Sequence, residues 1–586
     1  MCGITGEAGF IAPGEDIVRA MAKTLEHRGP DDEGYFSAAA NEWSVNLGMR
    51  RLAIIDREGG KQPMHAGKVS LVFNGEVYGH RRIRDNMAAA GTRFRTRSDT
   101  EVIGRLWDKE GPSCLSQLDG MFGIGLWDRV EKALYLVRDR MGKKPLYFYH
   151  GQNLLAFGSE LKALLAHPSV PREMNPEGIY HYLSLQYVPE PTTAYKGIFC
   201  VPPGSYVKYS PKTDILEEVQ WWSLEPDDGV RPGGECPVDY VSRTREAVEE
   251  AITCRLESEV PLGVYLSGGI DSAIVTGVAK ESCPELHTFC MGFEEEAYSE
   301  LHEARATAKY FGTIHHEAVA KFPQLPEMTD RIVAAYDQPY GDCSAIPTML
   351  LAEASKPFFT VALTGDGGDE AFGGYQRYWM AKPEIGEYLN WLAVLPFHVR
   401  DRILAKPFQD QVRGALHTKG WLLQKAAQFP GQGVRNQMGW VDIHSYLPND
   451  IIVKMERATM AASVEARCPF LDHRVMGLAC AIPEEHKFQP GVGKMVLKEA
   501  FKDILPLSII LRPKRGFGVP MNEWLRSDVG RKMLMEMMTD LSWPWEIFEP
   551  SGVTQLVETH LKGDANIGHA LWIILILHLW LKKHFG

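Results

Sequence analysis

The sequence is short of basic charge and of regularly spaced cysteines, and both shortages exclude classes of protein. Its formal net charge is -12 at pH 7, which argues against a nucleic-acid partner because a phosphate backbone selects basic surfaces. Its ten cysteines have neither the spacing of metal ligands nor the density of a small disulfide-stabilised domain. We therefore expect free thiols in a reducing cytoplasm and no nucleic-acid partner.

Long apolar runs are also missing. No basic segment followed by an apolar stretch opens the chain, so we expect no secretory signal. Residues 570–581 are strongly apolar. They fall short of the about 18 to 20 residues that a membrane span needs, and His578 interrupts them. We expect a buried C-terminal helix there, in a cytoplasmic protein without a membrane partner.

What is present indicates two domains, since 586 residues are too many for one compact core. The first part, of about 200 residues, has short apolar runs separated by turn residues. Strands are predicted at residues 69–73, 122–127 and 133–137, and a hairpin at residues 148–157. This pattern is typical of layered antiparallel β structure.

The pattern changes after a polar, proline-containing stretch at residues 225–234, which is predicted to be a linker. Residues 238–258 have a helical pattern, residues 260–266 a strand pattern, and residues 273–279 begin another helix. A further strand is predicted at residues 358–364, and from about residue 382 the chain is mostly helical. Alternating strands and helices favour a parallel α/β sheet, here with a helical extension.

The first candidate site begins at Cys2. Removal of Met1 would give this residue both a thiol and the free α-amine, which together supply a nucleophile and its base. Asn74 and Gly75, directly after a predicted strand, offer an amide and a backbone N–H for a developing oxyanion. The Arg51 fork suits a substrate carboxylate, and the Asp99 carboxylate suits an α-ammonium. Taken singly, each of these residues is weak evidence.

Together these residues lie in six segments that resemble a known family. MCGI, HRGPDD, RRLAIID, FNGEVY, RSDTE and DGMFG resemble the class II glutamine amidotransferase domain, in that family's order and over residues 2–210. The resemblance implies a layered sandwich of the N-terminal-nucleophile type. It also implies that Cys2 is the nucleophile and that Asn74 and Gly75 form the oxyanion hole. Arg51, Glu76 and Asp99 would then hold the amino-acid end of glutamine.

A second candidate site begins with SGGIDS, residues 267–272. Gly268 and Gly269 let backbone amides approach an anion, and the following helix N-terminus adds its positive end. The hydroxyls of Ser267 and Ser272 can donate to phosphate oxygens. The segment resembles the pyrophosphate loop of the N-type ATP pyrophosphatases, which cleave ATP to AMP and pyrophosphate while they adenylate an acceptor.

The segment TGDGGDE, residues 364–370, follows another predicted strand and complements this loop. Carboxylates that face an anion loop suit magnesium, and the resemblance assigns this role to Asp271 and Asp369. It places Thr364 and Gly365 at the nucleotide and Asp366 near the acceptor. A lysine would neutralise the leaving pyrophosphate. Lys494 is the first choice, and Lys498 and Lys514 stay open as alternatives.

The segment SVEARCPFLD, residues 463–472, completes a resemblance of the whole chain to the glutamine-hydrolysing asparagine synthetase family. We expect an amidotransferase domain at residues 2–210, a linker at 211–237 and a synthetase domain at 238–586. The resemblance implies glutamine, ATP and aspartate as substrates, Mg²⁺ as cofactor and a homodimer. Two residues depart from the family pattern. Asp366 stands where some members have Glu, and Glu456 where many have Asp.

Three alternatives remain open. The same chemistry could serve another carboxylate, such as a peptide, cell-wall or natural-product precursor. A cyclase like β-lactam synthetase needs no external ammonia, and the intact set around Cys2 counts against it. A non-catalytic binder of nucleotide or glutamine should have lost at least one of the residues that only catalysis requires. Cys2, Asn74, Asp271 and Asp369 are all present.

Overall fold

The computed structural model describes residues 2–10, 14–40, 43–227, 239–320, 325–431, 433–489, 491–512, 516, 518–540 and 546–586. The strands are β1 (Gly3–Gly9), β2 (Asp32–Ala40), β3 (Trp43–Arg51), β4 (Met64–Ala66), β5 (Val69–Val77), β6 (Gly120–Asp128), β7 (Ala133–Arg138), β8 (Tyr147–Gly151), β9 (Leu154–Gly158), β10 (Ile198–Cys200), β11 (Ser205–Ser210), β12 (Ile215–Gln220), β13 (Leu262–Tyr265), β14 (His287–Phe293), β15 (Ile314–Ala320), β16 (Val361–Leu363) and β17 (Glu465–Arg467).

The α-helices of the described residues are α1 (Glu15–Lys23), α2 (His80–Ala89), α3 (Asp99–Glu110), α4 (Leu161–Leu165), α5 (Pro176–Leu185), α6 (Tyr240–Thr253), α7 (Ile270–Ser282), α8 (Leu301–Phe311), α9 (Leu325–Tyr336), α10 (Ala345–Ser355), α11 (Gly368–Phe372), α12 (Arg377–Met380), α13 (Ile385–Trp391), α14 (Phe397–Ile403), α15 (Lys406–Gln411), α16 (Thr418–Ala427), α17 (Val434–His444), α18 (Ile452–Ala461), α19 (His473–Ala481), α20 (Glu484–Lys487), α21 (Met495–Ala500), α22 (Leu507–Ile510), α23 (Met521–Arg526), α24 (Asp528–Thr539), α25 (Pro550–Lys562) and α26 (Gly568–Phe585).

The first domain is a sandwich of two antiparallel sheets, as predicted. One sheet has the order β10-β8-β9-β1-β3-β2, and the other has the order β12-β11-β7-β6-β5-β4. The predicted hairpin is formed by β8 and β9, which pair antiparallel. Strand β12 pairs with β11, so the second sheet extends beyond residue 210, where we expected the first domain to end.

Strand β6 shows why this part of the sequence is apolar throughout. Its side chains alternate between two buried faces, and every residue of the strand is buried. Ile124 and Leu126 pack under α3, whereas Trp127 faces the other sheet. Gly125 lies where the two sheets approach closely, because a Cβ there would be 2.6 Å from the Phe157 ring. Helix α1 packs on β1 and β3 of the other sheet, so the two sheets lie between helices in a four-layer arrangement.

The second domain contains a parallel sheet with the order β15-β14-β13-β16-β17. The chain leaves β13 for β14 and β15 on one side and returns to β16 and β17 on the other. Ligands bind in the crevice at such a change of direction, beyond the carboxyl ends of the strands. The segments after β13 and β16 are SGGIDS and TGDGGDE, so the fold places both predicted loops at this crevice.

The helical extension ends in α26, which is buried as predicted. Trp572, Ile574 and Leu577 have no exposed surface, and the Tyr182 hydroxyl of α5 donates to the Ile573 carbonyl at 2.8 Å. No helix of the described residues is long and apolar enough to cross a membrane. All cysteines in the described part of the chain are free, as expected. The linker predicted at residues 211–237 is wrong in its first part, because Ile215–Gln220 form β12 of the second sheet; its residues 228–237 lie outside the described residues.

Candidate functional sites

Cys2 is buried at the start of β1, a strand inside the first sheet. Its backbone N–H donates to the Asn74 Oδ1 at 2.9 Å, so the predicted nucleophile and the predicted oxyanion residue are in direct contact. Burial raises the pKa of the Cys2 thiol. The thiol therefore needs a base to become a nucleophile. Met1, whose removal would supply that base, lies outside the described residues.

Asn74 and Gly75 lie within β5, beside Cys2. Asn74 is fully buried, and its Nδ2 has no hydrogen-bond partner among the described residues. A buried donor without a partner is costly, and a substrate oxygen would satisfy it. Gly75 has φ 150°, and a Cβ there would lie 1.9 Å from the Met121 carbonyl oxygen. Only glycine fits at this position.

The other three residues predicted for glutamine line the same pocket. Its lining includes Cys2, Arg51, Gly75, Glu76 and Asp99. The Arg51 guanidinium donates to the backbone carbonyls of Asp56 and Arg57 at 2.9 and 2.8 Å. Some of its N–H groups are therefore already bonded to a loop in the wall of the pocket. Asp99 begins α3. The structure therefore brings together the whole predicted glutamine site.

The SGGIDS loop is closed by its own hydroxyls. Ser267 Oγ lies 3.0 Å from Ser272 Oγ, and the Gly269 N–H donates to Ser267 Oγ at 3.1 Å. Helix α7 starts within the loop, at Ile270. The loop therefore presents small side chains and a helix N-terminus on the crevice, which is the arrangement that suits an oligophosphate.

The two acidic residues predicted to bind metal, Asp271 and Asp369, both form ion pairs with the ammonium group of Lys494. Lys494 Nζ lies 2.6 Å from Asp369 Oδ1 and also forms an ion pair with Asp271. The carboxylates come from the first turns of α7 and α11, and Lys494 is buried between them. Paired carboxylates at a phosphate loop fit a hard divalent cation. Lys498 lines the adjoining pocket, and Lys514 lies outside the described residues.

Glycines let the TGDGGDE segment approach the phosphate loop. A Cβ at Gly365 would lie 2.9 Å from the Asp271 Cβ, so a larger residue would separate the two loops. The Thr364 hydroxyl donates to Asp366 Oδ2 at 2.7 Å. This bond orients the carboxylate of Asp366, the residue that stands where some family members have the longer Glu. Thr364, Gly365 and Asp366 line one pocket with Ser267 and Asp271.

The pocket lined by Thr364, Gly365 and Asp366 also contains residues that the sequence reasoning missed. Its apolar wall is formed by Leu266, Phe289, Met291 and Leu351, and its polar wall includes Glu300, Glu370 and Lys454. Lys454 Nζ lies 2.9 Å from Asp342 Oδ2, and burial raises the pKa of Glu370 to about 7. Glu370 belongs to the TGDGGDE segment, but Lys454 lacks a local signal because its partner is distant in sequence.

The two domains meet at a buried ion-pair network next to Cys2. The Arg28 Nε donates to the Cys2 carbonyl at 3.1 Å, and its guanidinium pairs with Glu160 at 2.7 Å and with Glu456. All three charged side chains are buried. Glu456 is the residue that replaces the Asp of many relatives, and in this chain it binds the HRGPDD segment of the other domain.

Strand β17 joins the two sites. Arg467 Nη2 lies 3.4 Å from Glu76 Oε1 in the pocket beside Cys2. On the other side, the Thr364 N–H donates to the Arg467 carbonyl at 2.9 Å, and Thr364 Oγ1 lies 3.2 Å from Cys468 Sγ. The SVEARCPFLD segment, to which sequence reasoning gave no role, therefore touches both pockets.

Comparison with known proteins agrees with this arrangement. The asparagine synthase family model matches residues 243–582, and the glutamine amidotransferase domain matches residues 1–222. The chain belongs to the asparagine synthase family. Within this family it is 33% identical to asparagine synthetase [glutamine-hydrolyzing] 1 of Bacillus subtilis, over 99% of this chain and 96% of the relative.

Two further relatives are similar to this chain over nearly its whole length. A putative asparagine synthetase of Mycobacterium bovis is 30% identical over 99% of this chain and 97% of its own length. The amidase chyE of Penicillium rubens is 28% identical over 100% of this chain and 99% of its own length. Both domains of this chain therefore have counterparts along nearly the whole length of these relatives.

Proposed function

We propose that this chain is a glutamine-dependent asparagine synthetase. Cys2 attacks the side-chain amide of glutamine, releases ammonia and forms a glutamyl thioester that water then hydrolyses. Asn74 and Gly75 stabilise the developing oxyanion, a contribution of about 3 kcal/mol per donor in related chemistry. Arg51 holds the α-carboxylate of glutamine, and Glu76 and Asp99 hold its α-ammonium.

In the second domain ATP adenylates the side-chain carboxylate of aspartate, and ammonia displaces AMP. Ser267, Gly268, Gly269 and Ser272 bind the phosphates, with Thr364 and Gly365 on the opposite wall. Lys494 neutralises the departing pyrophosphate, and Asp366 orients the ammonia or accepts its proton.

A magnesium ion fits this site. Asp271 and Asp369 would hold it, since both carboxylates already converge on the Lys494 ammonium. When bound, the ion would supply charge neutralisation for the phosphates. The residues of the chain themselves place the phosphates against the helix N-terminus and keep the acceptor beside Asp366. A homodimer, a cytoplasmic location and a division into two domains, of which the first extends through β12, are further parts of this proposal.

The observation that carries the proposal is the contact of β17 with both pockets. Ammonia is mostly protonated at neutral pH and ammonium is not a nucleophile, so a useful route between the sites must be short and shielded. Adjacent residues of this chain, Arg467 and Cys468, lie at Glu76 and at Thr364 respectively. Glutamine hydrolysis and adenylation thus occur on two sides of one buried strand.

The test is product analysis with ATP, Mg²⁺, glutamine and aspartate. Asparagine should form in step with AMP and pyrophosphate. Cys2→Ala should abolish synthesis from glutamine and leave synthesis from ammonium salts intact, because only the first site uses the thiol. Loss of both activities in a folded Cys2→Ala protein would reject the two-site mechanism.

A second candidate keeps the mechanism and changes the acceptor. The full-length similarity to the amidase chyE, at 28% identity, motivates it. The relatives of 30% identity or more are named asparagine synthetases, so aspartate is the favoured acceptor. The same assay separates the two candidates. Glutamate release without asparagine or AMP would reject aspartate, and AMP formation on addition of a peptide or another carboxylic acid would then identify the acceptor class.

A further inference from the structure

The carboxylate of Glu76 in the glutamine pocket lies among charged groups from both domains. Glu465 and Asp99 oppose its ionisation, whereas Arg467 favours it. Burial is the largest effect and raises the pKa of Glu76. A neutral Glu76 could not attract an α-ammonium, so the pocket depends on the nearby positive charges.

Arg467 is held rigidly where it acts on Glu76. It is buried, and its Nη1 donates to the carbonyls of Arg255 and Glu257 at 2.7 and 2.6 Å. Its Nε donates to Glu465 Oε1 at 2.7 Å. With these donors fixed, Nη2 faces Glu76 at 3.4 Å. Its position is thus set by the second domain, whereas its charge acts on a residue of the first.

We propose that Arg467 is a positioning residue for glutamine: from the second domain it keeps the Glu76 carboxylate charged and oriented in the pocket of Cys2. This inference rests on the proposed function only in that glutamine is the ligand of this pocket. It makes the glutaminase site incomplete without β17. It also links the sites mechanically, because the Arg467 carbonyl accepts from the Thr364 N–H of the adenylation pocket.

The experiment measures glutamate release from glutamine against pH, which requires neither aspartate nor ATP. Arg467→Gln removes the charge and should raise the KM for glutamine at least about tenfold, as expected for loss of a charge-assisted contact. The acidic limb of kcat/KM should move to higher pH by about one unit or more, since removal of a cation raises a carboxyl pKa. Ammonia-dependent synthesis should be retained, and Arg467→Lys should restore much of the KM.

Glu465→Gln provides a test of opposite sign that does not remove the buried arginine. It deletes the anion that opposes Glu76 ionisation, so the acidic limb should move to lower pH. Arg400→Gln is the matched control, because Arg400 is a fully buried arginine of the helical extension that lines neither pocket. It should leave the KM for glutamine and the pH profile unchanged.

The outcomes separate this inference from the proposed function. An unchanged KM and acidic limb in active Arg467→Gln protein, or an upward shift in Glu465→Gln, would overturn the role of Arg467 while leaving the proposed function intact. Equal losses of glutamate release and of ammonia-dependent synthesis in Arg467→Gln would also overturn it, because they would show a structural role. If Arg467→Gln is insoluble, Glu465→Gln alone decides the matter. Failure of the proposed function would instead appear as wild-type glutamate release without asparagine formation.

Discussion

Substitution of Asn74 by alanine tests the candidate oxyanion site. Asn74 makes two contributions in the structure: its Oδ1 accepts the Cys2 N–H at 2.9 Å, and its Nδ2 is buried without a partner among the described residues. Removal of one such donor lowers kcat by about a hundredfold to a thousandfold, or about 3 to 4 kcal/mol. Burial supports this range for Asn74→Ala, because water does not compete for the donor in the pocket.

The assay is glutamate release at saturating glutamine, with ammonia-dependent synthesis measured on the same preparation. Asn46→Ala serves as a control for the loss of a buried amide, since Asn46 donates to Glu7 at 2.8 Å within the first sheet and does not line the glutamine pocket. Ammonia-dependent synthesis should persist in Asn74→Ala. A rate of glutamate release near that of the wild type, in protein that still uses ammonia, would refute the oxyanion role.

Three other predictions concern the second site, the interface and pH. Lys494→Met should lower both glutamine-driven and ammonia-driven synthesis, measured as AMP formation, and should spare glutamate release; loss of glutamate release alone would contradict the assignment. Glu456→Ala leaves the buried Arg28 with Glu160 as its one carboxylate partner among the described residues. It should cost about 3 kcal/mol of stability, seen as a lower Tm, whereas an unchanged Tm would show that the pair is dispensable. Burial lowers the pKa of Lys487 to about 8 from 10.5. As the pH falls below 10.5 the unfolded chain takes up a proton at Lys487, whereas the folded chain does so only near pH 8. The folded state therefore loses stability between these two pH values, and Lys487→Met, which cannot be protonated, should be about 3 kcal/mol more stable at pH 7. The gain in Tm should vanish near pH 10.5, and a gain independent of pH would exclude titration of Lys487 as its cause.

The sequence was sufficient to predict those strands and helices whose formation depends on the pattern of residues within the segment itself. The strands β5 and β6, the hairpin of β8 and β9, and the apolar segment that forms α26 were all predicted, because a strand or helix must bury its apolar residues whatever its neighbours are. Short strands were predicted less well. Strand β16 covers only Val361–Leu363, within a longer apolar run, since the parallel partners β13 and β17 limit the length that can pair.

The sequence by itself also determined which chemical groups are available. Cys2 and Asn74 carry groups that suit nucleophilic and oxyanion chemistry, but each was weak evidence alone, and Asp271 and Asp369 received their role from the resemblance to a family. Their assembly was not visible in the sequence, although the resemblance to a family implied it.

Only the tertiary structure decided how the two sites are connected. The contacts of Arg28 with Glu456 and of Arg467 with Glu76 join residues that are hundreds of positions apart in the chain. Such a pair leaves no periodicity in either segment, because its energy comes from mutual neutralisation of buried charges rather than from local backbone preference. The physical reason is desolvation: a charge becomes decisive for a distant residue only when the fold removes the water between them.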